Sequence, residues 1–294
     1  MSYQLQNILG TFLFDENNRS LEELKIKRKE LPLLPTERWP QALALFKDKK
    51  YYAQFYQKNL ELTKKALKGA VSEDLLIIQT IANIQELDKI TNLLTKRLRE
   101  WYSWYLPELS EKITAHEKFV QLVTEKSKEE LLQELGEKES MGGEISLTHV
   151  EEMKLLAQEI LELYQLRQRH ELYLEGVMKV YCPNFLELAG VNIGAKLLEL
   201  GKSLKHLAML PASTIQLLGA EKALFRHIKT GARSPKYGVI INHPLVQKAP
   251  RELKGKAARI LADKLSLCAR LDYFKGEFKA PEYKRELEQT LRGK

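Results

Sequence analysis

The chain has 294 residues, of which 44% are hydrophobic and 29% charged, a balance that is typical of a folded globular protein and excludes a largely disordered one. No stretch approaches about 18 consecutive apolar residues, so no transmembrane helix is predicted. The first residues lack the basic region and the small-residue cleavage site of a secretory signal. The two cysteines, Cys182 and Cys268, match no zinc or redox spacing, and we predict a cytoplasmic protein.

The positive charge is concentrated in the last third of the chain. Lys and Arg outnumber Asp and Glu by 47 to 39, which gives a formal net charge of +8. Residues 182–294 hold 21 of the basic and 10 of the acidic residues, whereas residues 1–181 hold 26 and 29. Such asymmetry favours a polyanionic partner for the basic segment, and the alternative is a basic surface that only aids solubility.

Residues 1–70 are predicted to form a small α/β domain. Leu5–Leu9 and Thr11–Phe14 are apolar and partly β-branched or aromatic, which indicates a strand pair, and Asp15–Asn18 is a turn candidate. Three prolines between residues 32 and 40 then exclude a long helix. A helical pattern follows over Tyr51–Lys68.

Residues 71–181 are predicted to form two long helices that pair as an antiparallel coiled-coil arm. Apolar residues recur at three- and four-residue spacing from Ile77 to Tyr105, and a similar stripe runs from Leu156 to Val177. The charged stretch 126–151 between them is predicted to be a turn or a flexible tip. Because one hairpin is not expected to cover both stripes, we predict a homodimer through Ile84, Leu87, Leu94, Leu98, Trp101, Leu163 and Leu174.

Residues 182–294 are predicted to be an all-α domain that six prolines divide into short helices. Cys268 falls in the apolar stripe of a helix over about 251–274, which indicates a core position. Lysine and arginine recur three and four residues apart near residue 226 and continue into the loop 229–238, a pattern that suits phosphate binding. Histidines nearby are candidates for stacking on bases. The predicted RNA-binding residues are Lys222, Arg226, His227, Lys229, Arg233, Lys236 and His243.

The motifs of catalysis are absent from the sequence. It contains no phosphate-binding loop, no HExxH and no GxSxG, and its six histidines are scattered. The stretch Gly190–Gly194 has too few glycines for a nucleotide loop and follows a helical pattern where a strand is needed. We therefore predict that the chain is not an enzyme and holds no metal or cofactor.

Several motifs closely resemble the hallmarks of the Nop-domain family, and they occur in that family's order. They are Leu210–Arg226, Lys229–Gly238, Asn242–Leu245, Gly255–Arg259 and Ala269–Phe274. Upstream, Asp74–Gln79, Leu98–Tyr102 and Pro107–Leu109 look like the family's coiled-coil arm. The resemblance covers roughly residues 70–280, and among members of the family the chain is most similar to the archaeal scaffold of box C/D guide ribonucleoproteins.

The resemblance implies a noncatalytic scaffold. The N-terminal domain, here shortened, would dock the fibrillarin methyltransferase, which carries S-adenosylmethionine, and the coiled coil would pair two scaffold chains. The Nop domain would grip a kink-turn guide RNA together with a small ribosomal-protein-like kink-turn-binding subunit. The residues expected to contact that protein partner are Gly219, Ala220, Glu221, Ala223, Leu224 and Phe225.

The assembly implied by the resemblance would methylate ribose 2′-hydroxyls on RNA, and a eukaryotic member would be nucleolar. The alternative is a spliceosomal-type Nop protein, which binds a small nuclear RNA kink-turn complex without a methyltransferase partner. The strand-like opening Leu5–Phe14 favours the first of these.

Overall fold

The computed structural model describes residues 2–15, 20–24 and 32–292, and it divides into two compact units, Met1–Ser72 and Glu73–Lys294. Helices dominate, and one three-stranded sheet lies in the first unit. The predicted class, mainly α with a small α/β N-terminal part, is confirmed. Within the described ranges, no helix is long and apolar enough to cross a membrane.

The first unit is built on an antiparallel sheet in the order β1 (Ser2–Asn7), β2 (Gly10–Asp15) and β3 (Ser20–Leu24). The predicted strand pair is therefore confirmed, with Leu5 opposite Phe12 in the register. β1 and β2 are joined at Ile8–Leu9, and the turn candidate Asp15–Asn18 begins at the last residue of β2. Residues 16–18 lie outside the described residues.

Two helices complete the first unit, α1 (Trp39–Leu45) and α2 (Lys49–Gly69). Its small core holds Leu5, Phe14, Leu34 and Ala42. Phe12 packs edge-on against Phe46 and Tyr51, which attaches the start of α2 to the sheet. The rest of α2 contributes no buried side chain.

The second unit begins with the predicted hairpin, formed by α3 (Glu73–Tyr102) and α7 (Leu147–Tyr181). The helices run antiparallel, since Ile77 and Ile81 share a core with Leu174 and Met178, whereas Leu98 shares one with Ile160 at the other end. The first helix ends three residues earlier than predicted, at Tyr102. Pro107 follows, and proline restricts the residue before it to extended backbone.

The end of the hairpin is a packed helical cap and not a flexible tip. It contains α4 (Pro107–Lys112), α5 (His116–Glu125) and α6 (Lys128–Leu135). Phe119, Val123 and Leu131 are fully buried there, and Glu108 accepts hydrogen bonds from the Ser140 hydroxyl and the Met141 amide, at 2.9 and 2.7 Å. These contacts order the segment that its charge pattern had predicted to be a turn or a flexible tip.

Polar contacts interrupt the two apolar cores of the hairpin at its middle. The guanidinium of Arg167 donates to Asp88 and, at 3.0 Å, to Glu171, and Glu171 also accepts from the side chain of Asn192 at 2.9 Å. His170 contacts Asn83 at 3.1 Å. The polar residues that interrupt the second stripe therefore have partners within the chain.

The remaining helices form an all-α body at the base of the hairpin. In chain order they are α8 (Pro183–Ala189), α9 (Val191–Gly201), α10 (Leu204–Met209), α11 (Ala212–Leu217), α12 (Glu221–Thr230), α13 (Pro244–Gln247), α14 (Lys254–Tyr273) and α15 (Ala280–Arg292). The α14 helix is the centre of this body, and Cys268 is buried in it as predicted. Ile77, Ile84 and Leu174 of the hairpin belong to the same core. Arm and body therefore form one compact unit, and the predicted boundary at residue 181 does not separate two cores.

Candidate nucleic-acid interface

Helix α12 carries three of the predicted phosphate-binding cations on one face. Lys222, Arg226 and Lys229 are four and three residues apart, a spacing that aligns them along an α-helix. All three are exposed, and none makes an ion pair or a side-chain hydrogen bond with any described residue. Their charges are therefore available to a ligand.

The loop 231–238 extends this surface and is tied back onto α11. The amide of Gly238 donates to the Gln216 carbonyl, and the amide of Val239 donates to the Leu218 carbonyl, both at 2.8 Å. A Cβ at Gly238 would lie 1.9 Å from the Leu218 oxygen, so only glycine permits this approach. The anchored loop holds the exposed Arg233 and Lys236 beside α12. We call Lys222, Arg226, Lys229, Arg233 and Lys236 the cationic face.

His227 joins the helix to the loop. Its Nδ1 contacts the Ala232 carbonyl, and because a carbonyl only accepts, this nitrogen carries the proton. The hydrogen bond to Ala232 fixes the position of the loop against α12. The ring is half-buried and lies next to the cationic face.

His243 does not lie on the surface, so the prediction that it contacts RNA is wrong. The side chain is buried, its Nε2 bonds to the Leu188 carbonyl at 3.0 Å, and its Nδ1 accepts from the Leu245 amide at 3.2 Å. Burial lowers the pKa of His243, which keeps the ring neutral. The residue caps α13 and attaches it to α8, because both of its nitrogens have structural partners.

The residues predicted to contact a protein partner surround the start of α12. Gly219 has φ +88, and its amide donates to the Glu221 carboxylate at 2.7 Å, which orders the entry to the helix. Ala220, Ala223 and Leu224 are half-buried. Phe225 is 62% exposed, and Ile228, which sequence reasoning did not include, is 69% exposed. The two form an apolar patch next to the cationic face.

Sequence reasoning also did not include the cations at the start of α14. Lys236 lies 3.7 Å from the position of a Cβ on Gly255, which places the loop against the first turn of this helix. The neighbours of Gly255 in the chain include the cations Lys248, Arg251, Lys254, Lys256 and Arg259. Their density was visible in the sequence, but their proximity to Lys236 depends on the tertiary fold.

The electrostatic character of this part of the chain is one-sided. Residues 202–259 carry twelve Lys or Arg and two acidic residues, Glu221 and Glu252. With two carboxylates against twelve cations, little negative charge opposes the cationic face. Such a surface attracts phosphates and releases counterions when it binds them.

The residues predicted to form the dimer contact are mostly inside the single chain. Ile84, Leu87, Leu98 and Leu174 are at most 6% exposed and hold the hairpin together, which corrects their assignment to a surface. Leu94, Trp101 and Leu163 are half-buried. A contact with a second chain therefore has only these three of the predicted residues available, together with other exposed apolar residues of the arm.

The all-α body is joined to the helical arm and presents five cations, without ion pairs to described residues, on a helix and an anchored loop. These features are typical of a nucleic-acid-binding domain. The family model for Nop, described as "snoRNA binding domain, fibrillarin", matches residues 83–293, which include the cationic face. The chain belongs to the Nop family.

Three relatives show how the similarity is distributed. A NOP5 family protein of Methanocaldococcus jannaschii is 42% identical over 261 residues, which cover 82% of this chain and 63% of that protein. Nucleolar protein 56 of Schizosaccharomyces pombe is 38% identical over 68% of this chain and 45% of its own length. Nucleolar protein 58 of Saccharomyces cerevisiae is 39% identical over 68% and 42%. The chain thus spans less than two thirds of the length of these relatives.

Among solved structures, a fibrillarin/Nop5p complex contains a chain that is 26% identical to this one. The match covers 98% of this chain and 99% of that chain, with a TM-score of 0.48.

Proposed function

We propose that the chain is the noncatalytic scaffold of a box C/D guide ribonucleoprotein that directs 2′-O-methylation of RNA. Its cationic face binds a kink-turn guide RNA, and the adjoining patch of Phe225 and Ile228 contacts the kink-turn-binding protein. Its first unit docks fibrillarin, which supplies S-adenosylmethionine and the chemistry. The chain itself transfers no methyl group, and in a eukaryote it resides in the nucleolus.

One observation carries this proposal. Five exposed cations converge on a helix and an anchored loop, without acidic partners among the described residues, inside the segment that matches the snoRNA-binding family model. The nucleolar relatives support a box C/D assembly over a spliceosomal one. Fibrillarin is named in the description of the family model, which supports a methyltransferase partner.

Reconstitution tests the scaffold role. Guide RNA, kink-turn-binding protein, fibrillarin and labelled S-adenosylmethionine are combined with a target RNA, with and without the chain. We expect target methylation only in the complete mixture, because the chain positions the enzyme without contributing catalytic groups. The chain alone should give no methylation above background.

Two results of that experiment would contradict the proposal. Methyl transfer by the purified chain without fibrillarin would make it an enzyme. Full methylation in the mixture that lacks the chain would remove its scaffold role. A target that is not complementary to the guide serves as the control for nonspecific transfer.

The homodimer is part of the proposal, with a contact that keeps Leu94 and Trp101 of the predicted set and adds two exposed residues. On α3, Ile90 and Leu93 are 45% and 68% exposed and lie beside the half-buried Leu94 and Trp101. These four residues recur at three-, four- and seven-residue spacing, which forms a second apolar stripe next to the buried one. A second copy of the arm would cover it.

We expect the chain to have the mass of a dimer in light scattering at micromolar concentration. Ile90→Glu with Leu93→Glu should weaken dimerisation at least about tenfold, because it places two charges in an apolar contact. Leu172→Glu is the matched control, since Leu172 is 69% exposed on the other helix of the arm. A monomeric wild-type chain, with and without RNA, would refute the dimer.

A further inference from the structure

Helix α2 has two chemically different faces, and beyond the first turn neither is covered by the described residues of its unit. The helix has 21 residues, of which none is buried. At 3.6 residues per turn, all of its large apolar residues fall on one side. They are Tyr51, Tyr52, Phe55, Tyr56, Leu60, Leu62 and Leu67.

The opposite side is a ridge of lysines. Lys50, Lys58, Lys64, Lys65 and Lys68 fall within a sector of about 120°, which also contains Gln54, Gln57 and Glu61 and no apolar residue. The ridge is about 27 Å long at 1.5 Å per residue. Lys64, Lys65 and Lys68 make no ion pair with a described residue, whereas Lys58 contacts Glu61 at 3.0 Å. We call these five lysines the lysine ridge.

Its charge distinguishes the lysine ridge from an ordinary solvated face. The whole of α2 contains six lysines and one acidic residue, Glu61. The other two long helices mix their charges, with four basic and five acidic residues in α3 and four and six in α7. A face that serves solubility alone is expected to intersperse both signs, as α3 and α7 do.

The arrangement of the two faces indicates the kind of polyanion. Proteins that bind single strands interleave cations with aromatic residues on which bases stack. Here Tyr52, Phe55 and Tyr56 lie on the side away from the lysines. Tyr51 at the start of the helix is the exception, since the Lys50 ammonium lies 4.8 Å from the centre of its ring. From Lys58 to Lys68 the row of cations contains no aromatic residue. Such a row suits the backbone of a duplex, which is recognised by its phosphates.

We infer that the lysine ridge of α2 is a second RNA-binding surface, separate from the Nop domain, which tracks the phosphates of double-stranded RNA without reading its sequence. The inference rests on the proposed function only for the identity of the polyanion. The observation that supports it is the row of lysines along one exposed face of α2, which is complementary in charge to the phosphates of a duplex. The apolar side of α2 remains available to a protein.

The test uses the full chain and two variants with equal loss of charge. The ridge variant combines Lys58→Gln, Lys64→Gln, Lys65→Gln and Lys68→Gln, since glutamine preserves helix propensity. The control variant combines Lys89→Gln, Lys96→Gln, Lys118→Gln and Lys138→Gln, four exposed lysines of the second unit without ion pairs among the described residues. Each is titrated with a labelled RNA duplex of about 20 base pairs, and with a preassembled kink-turn complex, between about 50 and 200 mM salt.

We expect the ridge variant to bind the duplex at least about tenfold more weakly, with a salt slope lower by about 3.6, because each of the four lost phosphate contacts removes about 0.9. The control variant should bind the duplex like the wild type, and both variants should retain binding of the kink-turn complex. Equal weakening in both variants, or an unchanged slope in the ridge variant, would overturn the inference and leave the scaffold proposal intact. A wild-type chain that binds neither RNA would overturn both. Circular dichroism checks that α2 stays helical.

Discussion

Replacing Arg226 and Arg233 together by alanine should lower the affinity for a preassembled kink-turn complex roughly tenfold to hundredfold. The two guanidiniums lie on the helix and on the loop of the cationic face, so the change removes charge from both of its parts. Each lost phosphate contact should reduce the slope of log affinity against log salt by about 0.7–0.9, which gives a total of about 1.4–1.8. Titration at several salt concentrations measures both quantities.

Folding should be preserved in this variant, because both arginines are exposed and their guanidiniums make no ion pair or hydrogen bond with a described residue. Surface substitutions of this kind usually change stability by no more than about 0.5 kcal/mol. Arg169→Ala with Arg285→Ala removes two exposed arginines elsewhere and is the matched control. Wild-type affinity and slope in a folded Arg226→Ala, Arg233→Ala variant would remove the cationic face from the RNA interface.

The cationic face illustrates what a sequence can establish about a site. Its cations were predictable, because helical periodicity places Lys222, Arg226 and Lys229 on one side and a turn-rich loop carries the next two. The loop's position was not, since it depends on backbone hydrogen bonds from Gly238 and Val239 to α11. The neighbouring cations of α14 were missed for the same reason.

His243 shows the opposite case, in which a motif residue was assigned to the ligand although it serves the fold. Histidine is compatible with base stacking, with capping and with a buried hydrogen bond, and the local sequence does not discriminate among them. Only the packing of α13 against α8 shows that both ring nitrogens are occupied. Burial depends on tertiary packing, which the local sequence does not show. For this reason the sequence did not tell whether the stripe containing Ile84 and Leu98 is buried within one chain or lies between two chains.

The cap of the arm was predicted poorly because its sequence is dominated by charge. Between residues 126 and 151 the apolar residues are few, and a flexible turn was the natural expectation. Leu131 is nevertheless buried against Phe119 and Val123, and Glu108 is hydrogen-bonded to the loop at Ser140 and Met141. The Glu108 bonds join residues more than 30 positions apart, and the Leu131 contacts join two separate helices, neither of which periodicity detects.

The strongest single effect on stability is expected at Asp272, which lies in another of the family-like motifs. Its carboxylate accepts hydrogen bonds from the Asn184 amide at 3.1 Å, the Asn184 side chain at 2.8 Å and the Phe185 amide at 2.8 Å. Asn184 in turn accepts from the amides of Lys279 and Ala280, at 2.7 and 3.0 Å. One carboxylate on α14 thus orders the starts of both α8 and α15.

Asp272→Ala should therefore lower the free energy of unfolding by about 2–4 kcal/mol, because it leaves two backbone amides and one side-chain amide without their acceptor. Burial raises the pKa of Asp272 while the N–H donors oppose that rise, so the carboxylate is held by these bonds and not by a neighbouring cation. For a unit of this size the melting temperature should fall by about 5–15 °C. Asp272→Asn, which keeps one acceptor oxygen, should lose less.

Asp263→Ala is the control for this experiment, since Asp263 is exposed on the same helix and its side chain makes no hydrogen bond or ion pair with a described residue. Its melting temperature, followed by circular dichroism at 222 nm, should stay close to that of the wild type. If Asp272→Ala and Asp263→Ala have the same melting temperature, the Asp272 carboxylate does not stabilise the body. Its presence in the family-like motif would then have to be explained by binding. If Asp272→Ala melts far below Asp263→Ala, this part of the Nop motif serves the fold, and α14 connects the cationic face at one end to the junction of α8 and α15 at the other.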